Sequence, residues 1–217
     1  MDAARETPET GLRTIRAAGV AGLIFSSLLT VSLLLFRSSP AAAGDTTGSG
    51  VRVSDAWQLA LYLVPFCGIA FLWFLAVLRR RIGRREDQFF STVFLGSGLL
   101  FIAMLFVADA TASAVVAIAR SGVPTTDPAY DFGRALAAAL FYVFAIKMAA
   151  GFMLVSSNIG RRTGFLPTWF IGIGGLGAIV MLLSVGFLEP LALIFPAWVA
   201  IVSILLLRAH PDTWAAG

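Results

Sequence analysis

Five arginines lie within seven residues between Arg79 and Arg85, and an apolar stretch long enough to cross a bilayer flanks them on each side. A helix needs about 20 apolar residues to span a hydrocarbon core of about 30 Å. Residues 57–78 and 89–118 meet that requirement. Short loops rich in Lys and Arg stay on the cytoplasmic side of a membrane. This loop therefore predicts a polytopic membrane protein, and its topology anchors are Arg79, Arg80, Arg81, Arg84 and Arg85.

Composition supports the same class of protein. Hydrophobic residues make up 59% of the chain and charged residues only 13%, whereas about a quarter of the residues of a soluble domain are charged. The expected partner is therefore the lipid bilayer. The net charge of +4 arises mainly from arginines in short loops, so no nucleic-acid binding is expected. Lys147 is the only lysine, and Ala and Gly are abundant. That bias suggests a GC-rich bacterial genome and hence the plasma (inner) membrane of a bacterium.

The chain is expected to form an all-α bundle of six transmembrane helices. The predicted domains are a cytoplasmic N-terminal tail (1–16), a transmembrane domain (17–208) and a cytoplasmic C-terminal tail (209–217). Only residues 188–190 separate the last two apolar stretches, which predicts a tight antiparallel hairpin. The six predicted spans are 17–36, 57–78, 89–118, 135–155, 169–187 and 191–207.

The remaining loops agree with this topology. With the first arginine loop inside, Arg161, Arg162 and both termini are also inside, and these two arginines are further topology anchors. The opposite loops, residues 37–56, 119–134 and 188–190, carry no arginine cluster. We therefore predict that both termini are cytoplasmic.

One alternative concerns the N-terminal region. Arg13 and Arg16 precede the first apolar stretch, and residues 39–43 resemble a small-residue cleavage site of a secretory signal. The apolar stretch is longer than the 7–15 residues typical of a signal core, which favours a retained span. Cleavage remains an open alternative. Residues 38–55 are predicted to form a flexible external loop.

A glycine motif within the fifth stretch matches the dinucleotide-binding pattern GxGxxG. That pattern requires a strand before it and a helix N-terminus facing a pyrophosphate, whereas these glycines lie inside an apolar span. Small residues in membrane helices let backbones approach closely. We therefore expect a packing face within the bundle or between protomers, on which Gly174→Leu is disruptive and Gly174→Ala mild. Its residues are Gly172, Gly174, Gly175, Gly177 and Ala178.

Lys147 lies near the middle of the fourth stretch, with about a dozen apolar residues on each side. A lysine at the bilayer centre costs about 2.5–3.5 kcal/mol on insertion scales. It should therefore face the bundle interior and either contact an acid or carbonyl groups, or take part in solute binding or proton movement. Asp109 is the candidate acid. By helix rise it lies near the outer boundary, about 15 Å above Lys147. A direct pair requires helix tilt and the length of the lysine side chain to close that gap, and the open alternative is an interfacial carboxylate in contact with water.

Polar residues near Asp109 suggest an outward-facing vestibule above Lys147. Pro65 and Pro196 each free a backbone carbonyl one turn earlier, although neighbouring helices satisfying these groups would explain both prolines equally well. The candidate ligand or ion pathway comprises Lys147, Asp109, Thr111, Ser113, Gln58 and Glu189.

Few residues suit catalysis. The only histidine, His210, is in the C-terminal tail, and the only cysteine, Cys67, lies in an apolar stretch. No metal, cofactor or enzymatic activity is therefore expected. A Ser–Lys dyad joining Lys147 to Ser26 or Ser27 remains an open alternative.

Residues 86–90 (EDQFF) and 94–101 (FLGSGLLF), after the basic loop, resemble a pattern in uncharacterised small six-span bacterial membrane proteins. The resemblance covers about the middle third of the chain. It implies a six-helix membrane bundle and identifies no catalytic or ligand residues.

Two hypotheses on function follow from the sequence. In the first, the bundle binds or moves a small solute or ion, with Lys147 in the pathway and Asp109 at its outer mouth. In the second, the protein is a non-transporting accessory or scaffold subunit that docks a membrane protein, or a second copy of itself, through small-residue helix faces. A hydrated cavity around Lys147 would favour the first, and a dry, fully paired lysine the second.

Overall fold

The computed structural model describes residues 8–37, 55–82, 88–121, 127–163, 166–184 and 189–208. Of these residues 97% are helical and none is in a strand, which confirms the all-α prediction. The seven α-helices are α1 (Pro8–Arg37), α2 (Asp55–Ile82), α3 (Gln88–Arg120), α4 (Pro128–Ala138), α5 (Ile146–Thr163), α6 (Thr168–Leu183) and α7 (Ile194–Arg208). A π-helical segment (Ala139–Ala145) joins α4 to α5, and a 3₁₀ segment (Glu189–Leu193) leads into α7.

Within the described residues, five stretches are long and apolar enough to cross a membrane: Arg16–Arg37, Asp55–Arg79, Phe89–Arg120, Pro128–Arg161 and Pro190–Arg208. The remaining helix, α6, has only 16 residues. At 1.5 Å per residue it spans about 24 Å, less than the hydrocarbon thickness of about 30 Å. The predicted fifth span was therefore too long, because the helix ends at Leu183 rather than at residue 187.

The fourth span begins earlier than predicted. Asp127 caps the N-terminus of α4 by accepting a hydrogen bond from Ala129 N at 2.8 Å, and Pro128 occupies the first turn. These are standard helix-start signals, since Pro lacks the donor that the first turn leaves unused. Residues 128–134, which the sequence assigned to a loop, are therefore helical. The described residues do not include 38–54, 83–87, 122–126, 185–188 and 209–217. The predictions for Arg84, Arg85 and His210 therefore lie outside them.

Neighbouring helices pack antiparallel. Ser32 of α1 donates to the carbonyl of Ala60 in α2 at 3.3 Å, and a methyl group on Gly133 of α4 would lie 2.6 Å from Val115 in α3. We call the end of the bundle near Arg79 the basic end. Arg37, Asp55 and Asp127 lie toward the opposite end.

The predicted tight hairpin between the last two spans is not the main contact of either helix. α6 packs chiefly against α5 and α7 chiefly against α1, while α6 and α7 meet where Gly174 approaches Trp198. Pro196 lies in the first turn of α7, where a missing backbone donor costs little.

Phenylalanine side chains fill the centre of the bundle. The members come from α1, α2, α3, α5 and α7, and each is at most 3% exposed. Their rings meet mostly edge to face, with centroid distances from 4.7 to 6.1 Å, the geometry that aromatic quadrupoles favour. This phenylalanine cluster consists of Phe25, Phe71, Phe101, Phe152 and Phe195.

Candidate functional site

A cavity of about 580 Å³ opens between α1, α2, α3 and the stretch formed by α4 and the π segment. Its walls are mostly apolar, and a few polar and charged side chains reach into it. That volume and that mixture are typical of small-molecule sites in proteins. The polar and charged lining residues are Ser32, Arg37, Trp57, Asp109, Asp131, Arg134 and Tyr142.

Asp109 is the acidic group deep in this cavity. It lies inside the long helix α3, its side chain is partly buried, and its Oδ1 atom is buried without a hydrogen-bond partner among the described residues. Placing an ionised carboxylate away from water is costly unless it is paired. None of the described residues donates to this oxygen, which makes Asp109 a candidate contact for a ligand.

Charged side chains of both signs lie nearer the opening. Asp131 and Arg134 are one turn apart on α4, both are exposed, and the Arg134 guanidinium lies 6.0 Å from the ring centroid of Tyr130. Arg37 ends α1 on the far side of the cavity. Together with Asp109 these groups make a lining with two acids and two guanidiniums.

Aromatic rings and a change in helix type shape the walls. Phe36 and Trp57 meet edge to face with centroids 5.6 Å apart, joining α1 to α2 beside the cavity. On the other wall, Phe141 and Tyr142 belong to the π segment, where Ile146 N bonds to Phe141 O in the i→i+5 pattern. Such π turns add a residue to the helix and are frequent at functional sites.

Among the described residues, the lining of this cavity ends before the phenylalanine cluster. Leu29, Val64 and Leu105 line it one to two turns from phenylalanines of the central cluster on the same helices. Because those rings are almost wholly buried, they close the cavity toward the basic end.

Lys147 lies outside this cavity. Its ammonium nitrogen donates to the carbonyls of Leu182 at 2.8 Å, Ser184 at 3.0 Å and Met181 at 3.5 Å. These groups end α6, where the last carbonyls of a helix have no partner within the helix. The Ser184 hydroxyl also donates to Met181 O at 2.7 Å. Lys147 thus caps the short helix, and a cation at a helix C-terminus also interacts favourably with the helix dipole.

Lys147 and Asp109 therefore do not pair in this structure. Lys147 donates to backbone carbonyls, and the buried Oδ1 atom of Asp109 accepts no hydrogen bond from the described residues. Lys147 is thus paired, the environment that the sequence connects with the accessory hypothesis rather than with a pathway through this residue.

The other predicted pathway residues are not grouped around the cavity. Thr111 donates back to Val107 O at 2.7 Å within its own helix, Ser113 is exposed, and Gln58 is partly buried. None of the three is among the cavity-lining residues. Glu189 begins the 3₁₀ segment, and its side chain lies outside the described part of the structure.

The small-residue face of α6 divides into two parts. Gly174 and Ala178 are buried, and a methyl group on Gly177 would lie 3.3 Å from Ile194. A methyl group on Gly174 would lie 2.6 Å from Trp198 Nε1 and 2.9 Å from Ser157 Oγ, and these short distances argue against the expectation that Gly174→Ala is mild. Gly172 and Gly175 would meet no described atom within 4 Å, and their packing against another protomer stays a prediction.

Sequence reasoning missed several cavity residues. Ser32 sits in an apolar stretch, and Asp131 and Arg134 were assigned to a loop. The helix-start pair Asp127-Pro128 was the available signal, because it places Asp131 and Arg134 on one helical face at i, i+3 spacing.

Comparison of the chain with protein-family models, with curated proteins and with solved structures finds no match.

Proposed function

We propose that this protein is a multi-pass protein of the bacterial plasma membrane that binds a small solute in the cavity around Asp109. In this proposal α6 crosses the membrane together with the five longer stretches, although its helix has only 16 residues. Six crossings then leave both termini cytoplasmic, so the cavity faces the external side. The observation that carries it is the buried Asp109 oxygen, which lacks a described partner inside a cavity of about 580 Å³.

Energetics supports a binding role for this acid. Ionisable residues inside membrane helices are costly and are generally retained for function when no structural pairing explains them. Lys147 has such a structural explanation in its three carbonyl contacts, and Asp109 does not. We therefore propose that Asp109, and not Lys147, contacts the solute.

The closed floor favours binding over an open channel. A continuous pore would need polar or hydrated surface along the bundle axis, whereas phenylalanines occupy its centre. Any translocation would require these rings to separate. We therefore propose solute binding as the function of this cavity, with translocation as the less favoured alternative.

A pair of matched variants tests this proposal. Ala112 lines the cavity and Ala110, on the same helix, is exposed and does not. Purified protein is screened for thermal stabilisation by small amines, amino acids, sugars and carboxylic acids. We expect at least one solute to stabilise the wild type and Ala110→Phe but not Ala112→Phe, because a ring at position 112 fills the cavity. Equal responses of both variants to every stabilising solute, or no stabilisation by any, would refute the proposal.

A second candidate function is an accessory subunit that docks through α6. The observation that favours it is the open face at Gly172 and Gly175, which continues into exposed Leu176 and Ile179. Gly172→Leu and Gly175→Leu should then change oligomer size or partner capture without loss of folding. Solute binding that is unaffected in these variants would separate the two roles.

A further inference from the structure

We propose that the ligand of this cavity is a small zwitterion whose ammonium group binds Asp109 and whose anionic group binds Arg134. This inference rests on the proposed function and adds the chemical class of the solute. It follows from the sign, the depth and the spacing of the charges in the cavity.

The deep end of the cavity selects a cation or a strong hydrogen-bond donor. Asp109 Oδ1 is buried and unpartnered among the described residues, and an ionised carboxylate can only accept hydrogen bonds. An ammonium group supplies both the donors and the compensating charge. Ser32 also lines the cavity, and its hydroxyl is a neutral polar group.

The opening also offers a contact for an anion. Arg134 is exposed at the cavity wall, one turn from Asp131, and its guanidinium lies 6.0 Å from the Tyr130 ring centroid without a hydrogen bond among the described residues. Guanidinium groups bind carboxylate and phosphate through two parallel hydrogen bonds. A simple organic cation would leave this guanidinium with no anionic partner in the lining other than Asp131 and Asp109.

The spacing of the two groups follows from helix packing. Val115 lies against Gly133, Asp109 is six residues before Val115, and Arg134 directly follows Gly133. Antiparallel helices with a rise of 1.5 Å per residue then separate Asp109 and Arg134 by about 7 Å along the bundle axis. A molecule with several methylene groups between its amine and its acid fits this separation and covers the apolar wall between them.

Calorimetric titration of the full-length purified protein tests the class with four probes. 6-Aminohexanoate carries both charges at about the required distance, glycine carries both close together, and hexylamine and hexanoate carry one each. We expect 6-aminohexanoate to bind roughly tenfold more tightly than any of the other three, since each charge-assisted contact is lost in turn. Equal affinity for hexylamine and 6-aminohexanoate would overturn the zwitterion assignment.

Two charge variants assign the ends of the ligand. Asp109→Asn should reduce 6-aminohexanoate binding to the level of hexanoate, and Arg134→Gln should reduce it to the level of hexylamine. Thr111→Ala, on α3 but outside the cavity lining, is the control and should bind as the wild type. A folded Arg134→Gln variant with wild-type affinity would refute the proposed anion contact.

The same chemistry occurs in a phospholipid headgroup, which carries an ammonium and a phosphate. Titrations in nanodiscs of phosphatidylglycerol, with and without phosphatidylethanolamine, distinguish the two sources. We expect 6-aminohexanoate to bind equally in both, as a soluble ligand does. Competition by phosphatidylethanolamine would overturn the assignment to a soluble solute. If another solute passes the Ala112→Phe test and no zwitterion binds, this inference fails while the proposed function stands.

Discussion

Lys147 shows how a charged residue in the middle of an apolar stretch can serve the fold. Its position predicts an interior partner, and the structure provides three carbonyls at the end of α6 within 3.5 Å. Sequence alone could not identify these acceptors, because every residue has a backbone carbonyl and only the fold determines which of them lie near Lys147. Asp109 could be identified as unusual, yet its lack of a described partner depends on where α1, α2 and α4 lie around it.

Lys147→Met should destabilise the protein by roughly 2 kcal/mol, because the carbonyls at the end of α6 lose a charged donor while the volume of the side chain is kept. Unfolding of purified protein in a denaturing detergent measures the change. Lys147→Arg, which keeps a cation, should lose less. Wild-type stability of Lys147→Met would mean that the cap contributes nothing.

Asp109→Asn should be neutral or stabilising, because it removes a desolvated charge that has no described partner. Since the two residues do not contact, the double variant with Lys147→Met should equal the sum of the single changes within about 0.5 kcal/mol. The same unfolding assay provides all three values. Mutual rescue in the double variant would instead indicate a direct ion pair.

At the scale of elements, α6 ends four residues earlier than the sequence predicted. Its apolar residues continue beyond Leu183, so hydropathy extends the span, whereas the described helix ends where Ser184 and Lys147 satisfy its last carbonyls. Unsatisfied backbone groups are costly inside a membrane, and only the tertiary contact allows the early end. Hydropathy also overlooked the π segment, because a π turn has no distinct residue pattern.

Gly174→Ala should destabilise the protein by roughly 1–3 kcal/mol, the usual range for overpacking, and Gly174→Leu by more. The new methyl group would meet Trp198, whose ring packs against Phe152 and Phe170 at centroid distances of 6.3 and 6.1 Å and cannot shift freely. Gly175→Ala, where a methyl group meets nothing within 4 Å, is the matched control. Thermal unfolding of the three variants checks the order, and a Gly174→Leu protein as stable as Gly175→Ala would show that this contact is unimportant.

For the whole molecule, the fold class follows from apolar length and arginine placement, while the site follows from packing. The phenylalanines of the central cluster are spread over five helices, and nothing in the order of Phe25, Phe71 and Phe101 along the chain indicates that they meet. Their contact closes the centre and leaves the cavity at one end. Asp109 of the predicted vestibule lines this cavity, and Lys147 does not.

The orientation of this asymmetric bundle decides which compartment the cavity samples. Reporter fusions at Arg85 and Arg162 should read as cytoplasmic and a fusion at Asp127 as external, because arginine-rich loops are retained inside. Asp127 begins the helix that carries Asp131 and Arg134, so an external reading there places the cavity opening outside the cell. A periplasmic reading at Arg85 together with a cytoplasmic one at Asp127 would show the opposite orientation of the bundle. The cavity would then bind a solute from the cytoplasm.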